Sequence, residues 1–413
     1  MKKFVFAFCV PLILLGFSCT RDFSVLQLPS RERDPQPEPQ HIEKELLNAS
    51  SDFGIGLFKE VAKAEAGKNV FISPFSVSAA LGMTLNGAAG QTETDMRKTL
   101  GFPGWTQVSI NEAYRSLINA LTQADPKVAM DIAQAIYYAL GFAVEPSFIQ
   151  TNLAYFDALV SELDFSLPSA PDTINGWIEE NTGGKIRDMI KKIERDDVMF
   201  LVNAIYFKGT WTIQFDEKET RNETFTLGDG SRVTCPMMRM CDSLSYLSTA
   251  DFQAVEMAYG DGAFSMVVFL PKNGQTANAF IQGITPEKWN DWMGRLEETK
   301  VNLILPKFKA EYDVLLNDAL ITMGMGVAFS GGADFTRINP LGGLFISRVL
   351  HKAFVEVNEE GTEAAAATVV VVSRSNSGGA DEIFMIVNHP FVFAIRERQT
   401  GAILFMGKIE NPS

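Results

Sequence analysis

Residues 357–377 read VNEEGTEAAAATVVVVSRSNS. A turn-like Glu-Glu-Gly leads into Thr362, Glu363, four alanines, Thr368 and four valines, with little bulk in the first half and strong strand formers in the second. Such a run reads as a strand. The segment that follows it, SRSNSGGAD over 373–381, is polar and glycine-rich, the composition of an exposed loop tip. Taken at period two, Thr362, Ala364, Ala366, Thr368, Val370 and Val372 share one face, small or apolar and uncharged, which can enter a core without burying a charge. Whatever this chain folds into must accommodate a segment suited to two states, loop and strand.

The flanking blocks carry a resemblance to a known family. NVFISPFSVSAALGMTLNGAAGQTETDMRKTL from Asn69 is followed by INGWIEENTGGKIRDMI from Ile174, FLVNAIYFKGTWTIQF from Phe200 and VTCPMMRM from Val233. LPKFKAEYDVLLNDALITMGM from Leu305 and HPFVFAIRERQTGAILFMGKIENP from His389 complete the order. With the alanine run these blocks resemble the serpins, inhibitors of serine or cysteine proteases, over nearly all of the chain after its first 41 residues. The resemblance implies a single α+β domain over 42–413, with a large central sheet, two smaller sheets, about eight or nine helices and an exposed reactive-centre loop near 359–382. Glu359, Gly361, Thr362, Glu363, Ala364, Ala365, Ala366, Ala367 and Thr368 match the hinge of that loop, which in the family inserts into the main sheet after a protease cuts it.

Further roles follow from the same resemblance. Ser73, Ser76, Asn203 and His351 match a cluster under the main sheet in which the histidine bonds to serines and an asparagine. Trp211, Lys307 and Glu359 match the group that closes the top of the sheet, where the loop goes in. An exposed ion pair by itself stabilises little, so its value would lie in holding that opening shut. Counted from Gly361 in the usual family register, the cut falls at Ser375-Asn376; a loop shorter by one residue gives Arg374-Ser375. Arg374 offers a long cation to the acidic pocket of a trypsin-like enzyme, which favours Arg374-Ser375, with Ser375-Asn376 second. The valines upstream also suit an elastase-like protease, with Val372-Ser373 as a third bond.

Without the family, the pattern still says mixed helix and sheet. A helical stripe through Phe53, Leu57, Phe58 and Val61 has Ser50, Ser51 and Asp52 as candidate caps. A short strand after Asn69 breaks at Pro74 and gives way to a small-residue helix over 76–85. Strand-like AVEMAY, SMVVFLP, KVNLILP and FVFAIRE crowd the second half, which argues for α+β over a repeating βαβ pattern.

The amino terminus reads as an address. Residues 1–19, MKKFVFAFCVPLILLGFSC, hold two lysines, an apolar run and then Ser18-Cys19, a secretory leader too short for a spanning helix. Its end resembles the cleavage box of bacterial lipoproteins, with Cys19 the lipidated residue; the alternative is a leader cut elsewhere, with Cys19 incidental. Residues 20–41, containing SRERDPQPEPQ, read as an extended, solvated tether. The expectation is an exported, membrane-anchored monomer on the periplasmic or cell-surface side of a bacterial envelope.

Several classes of function fit poorly. The net charge of −14, with no basic stripe, repels nucleic acid. His41, His351 and His389 are the three histidines, and no Gly-x-Ser-x-Gly elbow or zinc-binding spacing frames them, so neither an enzyme nor a metal or cofactor site is expected. Gly378-Gly379-Ala380-Asp381 reads as a loop tip in preference to a cation loop. Cys235 and Cys241 lie six residues apart, roughly 20 Å in an extended segment at ~3.3 Å per residue, too far for a disulfide. The reading is an irreversible suicide-substrate inhibitor of serine or cysteine endopeptidases; the alternatives are a non-inhibitory serpin acting as carrier or folding helper, and a hydrolase.

Overall fold

The computed structural model describes residues 44–362 and 382–413. Among them the α-helices are α1 (Lys44–Ala64), α2 (Pro74–Leu85), α3 (Gly90–Thr99), α4 (Gln107–Gln123), α5 (Pro146–Phe156), α6 (Ala170–Asn181), α7 (Ala277–Gln282), α8 (Pro286–Gly294) and α9 (Asn317–Leu320). The strands of the first half are β1 (Val70–Ile72), β2 (Val128–Ala139), β3 (Leu159–Leu163) and β4 (Met199–Thr210). Those of the middle are β5 (Arg221–Thr226), β6 (Arg232–Ser248), β7 (Phe252–Tyr259), β8 (Phe264–Pro271), β9 (Glu297–Pro306) and β10 (Phe308–Leu315). The last are β11 (Leu350–Val357), β12 (Gly361–Thr362), β13 (Ile383–Ile386), β14 (Phe391–Glu397) and β15 (Ile403–Ile409).

A six-stranded sheet has the order β10-β11-β12-β4-β2-β3, and a second sheet runs β1-β15-β14-β8-β7-β6-β9-β13 with β5 on β6. The α+β class stands, with long β2 and β4 in the half that reads mainly as helix. The two smaller sheets expected beside the large one form a single ladder here. The cause is β6, whose 17 residues pair with β5, β9 and β7 in turn. Cys235 and Cys241 lie along this strand, both free, the first buried and the second exposed.

The helix termini correct two details. Ser50, Ser51 and Asp52 are interior to α1 rather than caps, because buried Ala49, one turn before Phe53, continues the apolar stripe toward the amino terminus. Pro74 opens α2 instead of separating it from the strand, since proline at a first helical position gives up no needed hydrogen bond. Ser73 caps that helix, its Oγ accepting from the Ser76 N–H at 3.2 Å. Almost every side chain of α2 is buried, which suits a helix covered on all sides, and it packs against β4 and β15.

The other face of the six-stranded sheet is covered by α6 and the segment after it. Ile174 and Ile178 of α6, with Ile186 and Ile190 beyond it, pack on Ala135, Tyr137 and Val202. Asn175 fixes the crossing segment: its Nδ2 donates to the Ile190 carbonyl and its Oδ1 accepts from the Ile190 N–H, each at 2.8 Å. No helix among the described residues is long and apolar enough to cross a membrane.

Candidate functional site

Among the described residues, only the two of β12 stand between β11 and β4. Thr362 pairs antiparallel with Val357 of β11 and with Gly209 of β4. The hinge segment expected from the sequence is therefore already seated in the sheet by its first residue pair. Glu363, Ala364, Ala365, Ala366, Ala367 and Thr368, the candidate bonds at Arg374, Ser375 and Asn376, and Cys19 lie outside the described residues.

The turn that delivers β12 is held from several sides. The Trp211 and Phe215 N–H groups donate to the carbonyls of Glu360 and Glu359 at 2.8 and 3.0 Å, and Trp211 Nε1 donates to the Asn358 carbonyl at 2.9 Å. Asn358 Oδ1 accepts from the N–H groups of Glu360 and Gly361, a local side-chain bond typical of asparagine in turns. Glycine is required at 361, because a Cβ there would stand 2.1 Å from the Gly209 carbonyl oxygen.

Glu359 and Lys307 do pair, at 2.7 Å, but not as an exposed couple: the Glu359 side chain is 6% exposed against 39% for Lys307. Thr220 Oγ1 donates to the same carboxylate at 2.7 Å. Burial works against ionisation of Glu359, yet the bonds from Lys307 and Thr220 prevail and hold it below the usual glutamate value.

Thr362 is buried, and its Oγ1 lies 2.5 Å from the hydroxyl of Tyr259. Tyr259 in turn stacks on Trp211, with ring centroids 4.3 Å apart and planes 15° from parallel. Burial pushes its phenol well above the ordinary tyrosine value, so it stays protonated and able to donate. Nothing in AVEMAY marks Tyr259 as more than a core residue; an aromatic with a hydroxyl in a fully buried strand needs a partner, the one clue the sequence holds.

Below β12 the strands part. The space between the lower ends of β4 and β11 is a cavity of about 610 Å³ lined by Leu81, Ile190, Leu201, Asn203, Leu350 and His351, among others. His351 Nε2 accepts from the Ser73 N–H at 3.0 Å, and the Ser73 hydroxyl donates to the Leu404 carbonyl at 2.8 Å. Ser76 Oγ donates to Asn203 Oδ1 at 2.5 Å.

The four residues expected to cluster thus come together, but as two pairs on the start of α2, one tying β11 and the other β4. His351 meets the backbone of Ser73 and not a serine hydroxyl, because that hydroxyl is spent on Leu404 and on capping the helix. The Asn203 Nδ2 is buried without a partner among the described residues. Burial pushes His351 down to about 4, so the ring is neutral, as its acceptor role demands.

The family described as Serpin (serine protease inhibitor) matches residues 48–412. The chain belongs to the serpin family. Human Serpin B3 is 34% identical over 391 residues, covering 89% of this chain and 99% of its own. The leukocyte elastase inhibitor of Sus scrofa is 33% identical over 381 residues, covering 89% of this serpin and all of its own length (100%). The crystal structure of tengpin, a thermophilic serpin in the native state, superposes with a TM-score of 0.84 at 30% identity, over 91% of this chain and 96% of that one. A protease-inhibitor family is thereby shown, with the serpin fold.

Proposed function

We propose that this serpin is an irreversible suicide-substrate inhibitor of serine or cysteine endopeptidases, not an enzyme, which traps the acyl-enzyme by drawing its cut loop into the six-stranded sheet. The observation that carries the reading is register. Were the pairing of Thr362 with β11 and β4 to continue, it would set Ala364 between Val355 and Phe207, and Ala366 between Ala353 and Ile205. It would then set Thr368 between His351 and Asn203, and Val372 opposite Met199. The cavity between the parted strands faces these last positions. The Thr362 side chain points into the core at Tyr259, so Ala364, Ala366, Thr368, Val370 and Val372 would point inward too. None carries charge.

In this scheme the hydroxyl or thiol of the protease attacks the carbonyl of the bait bond, an acyl-enzyme forms and the new amine leaves. Thr362 is already paired, so Glu363 to Ser373 would add eleven residues to the sheet; at ~1 kcal/mol net per hydrogen bond their insertion would yield on the order of 10 kcal/mol. Val370 and Val372 add roughly 1.5–3 kcal/mol each. That rivals the ~5–15 kcal/mol holding a whole domain together, enough to deform an attached protease. His351, Ser73, Ser76 and Asn203 are assigned to keeping β11 and β4 in place until then, and Trp211, Lys307 and Glu359 to closing the upper end.

The finer assignments belong to the same proposal. The bait bond is Arg374-Ser375, with Ser375-Asn376 as the runner-up, and the target is a trypsin-like or elastase-like protease. Cys19 is lipidated, and residues 20–41 tether a monomeric domain to a bacterial membrane, exported to the periplasmic or outer side. Incubation with a panel of proteases is the test. A gel-stable covalent complex, with a new amino terminus at Ser375, is the expected result. Plain cleavage without a complex would make the chain a carrier or folding helper, and turnover of ester substrates would make it a hydrolase.

A further inference from the structure

β13 carries two apolar side chains into solvent. Phe384 is 51% exposed and Ile386 39%, while Met385 and Val387 are fully buried on the opposite side. Along the outer face Phe384 stands in a row with Asn302 of β9 and Cys241 of β6, and Ile386 in a row with Ile304 and Arg239. A strand at the end of a ladder ordinarily carries charge or proline on such a face, because bare apolar groups there invite association.

The strand is also held by side-chain and backbone bonds. Gln253 Nε2 donates to the Phe384 carbonyl at 2.9 Å and to the Tyr246 hydroxyl at 2.7 Å. The Val387 N–H donates to the Ile304 carbonyl at 2.8 Å.

We infer that Phe384 and Ile386 form an accessory contact surface for the target protease, beside the bait. The inference rests on the inhibitory reading above and names a second place where the same partner touches. Connectivity selects the occupant. The undescribed segment that carries the candidate bonds ends at Asp381, directly before this strand. Arg374 and Phe384 are ten residues apart in the chain, at most about 36 Å when fully extended, little more than the diameter of a small domain. A protease seated on Arg374-Ser375 is therefore within reach of this face. Size selects against a second copy: two side chains fall far short of the ~800 Å² per partner of a standing interface. They suit an adjunct to another contact, with an aromatic anchor of the kind that dominates binding energy at protein surfaces.

The experiment uses the full chain and a protease that the parent traps. Phe384→Ser, Ile386→Ser and the double variant are compared with the parent by the second-order rate of covalent-complex formation, with Leu341→Ser, 93% exposed in the loop before β11, as a control. The double variant is expected to associate roughly tenfold more slowly, with the cut bond, the fraction of cleavages that end in trapping and the unfolding midpoint all at parental values. The control should keep the parental rate. Trapping by the double variant at the parental rate overturns the inference and leaves the inhibitory reading intact. A faster rate overturns it as well, since it would mean that the chain's own loop covers the face. So does a parental rate accompanied by loss of a parental dimer on size exclusion, which would assign the face to a second copy. A parent that traps no protease overturns the inhibitory reading and this inference together.

Discussion

The hydroxyl of Tyr259 stands 2.5 Å from that of Thr362, and this bond joins β7 of the second sheet to β12. In the proposed mechanism the contact exists before the cut and register would keep it after insertion, so it would lower both states alike. Tyr259→Phe should therefore loosen the hinge without changing the driving force for insertion. The expected loss is about 1 kcal/mol of global stability, with faster amide exchange at Gly361 and Thr362. The fraction of protease trapped per cleavage should stay at the parental value. A large rise in cleavage without trapping would show that the bond acts on the barrier instead.

Lys307 and Glu359 should respond unequally to substitution. Lys307→Met leaves a buried carboxylate with Thr220 as its remaining side-chain donor, an arrangement that costs about 1–3 kcal/mol. Glu359→Gln leaves the half-exposed ammonium free to find water and keeps an acceptor for Thr220. Chemical denaturation should rank Lys307→Met as the less stable variant, and the reverse order would mean that the lysine carries the buried charge.

His351 makes stability depend on pH in a defined window. Its folded value, about 4, lies below the ordinary 6.5 of an unfolded chain. Above pH 6.5 neither state is protonated and nothing is lost. As pH falls from 6.5 toward 4 the unfolded chain takes up the proton first, so stability declines by ~1.4 kcal/mol per pH unit, on the order of 3 kcal/mol in all. Unfolding midpoints measured across that range should fall in the parent and flatten in His351→Gln. Glu359, held below its ordinary value, contributes in the same direction but only below about pH 4.5.

The switch is tested at Ala366. Inserted, its side chain would lie among Ala353 and Ile205, both buried, where a lone guanidinium costs several kcal/mol. Each ~1.4 kcal/mol added to the insertion barrier slows it tenfold in its race with deacylation. Ala366→Arg should be cut at the parental bond and released as a substrate, whereas Ala367→Arg, with the opposite phase, should still trap. Covalent complex formed equally by both variants would remove the period-two reading of the loop.

Much of this fold was legible because strands and helices announce themselves by period. AVEMAY, SMVVFLP, KVNLILP and FVFAIRE became β7, β8, β9 and β14; at the top of the sheet Lys307 pairs with Glu359, and Trp211 bonds to the backbone of Asn358 and Glu360 on either side of it. What composition could not convey is direction and depth. Glu359 looks like any surface acid until Thr220 and Lys307 are seen around it. The pairing of His351 with a backbone N–H depends on how Ser73 is already engaged, a property of three distant segments at once. The merged ladder through β6 was hidden for a similar reason, since strand length is legible but the number of partners along it is not.

Because Gly361 and Thr362 are already paired between β4 and β11, the proposed insertion would have a fixed origin and a single direction of travel. Arg374 lies twelve residues beyond Thr362, and at ~3.3 Å per residue that is about 40 Å of sheet. An enzyme still esterified to Arg374 would be hauled from one pole of the sheet to the other, farther than the ~30 Å breadth of a small domain. Such a pivot would turn a local zippering of backbone into a long-range mechanical stroke.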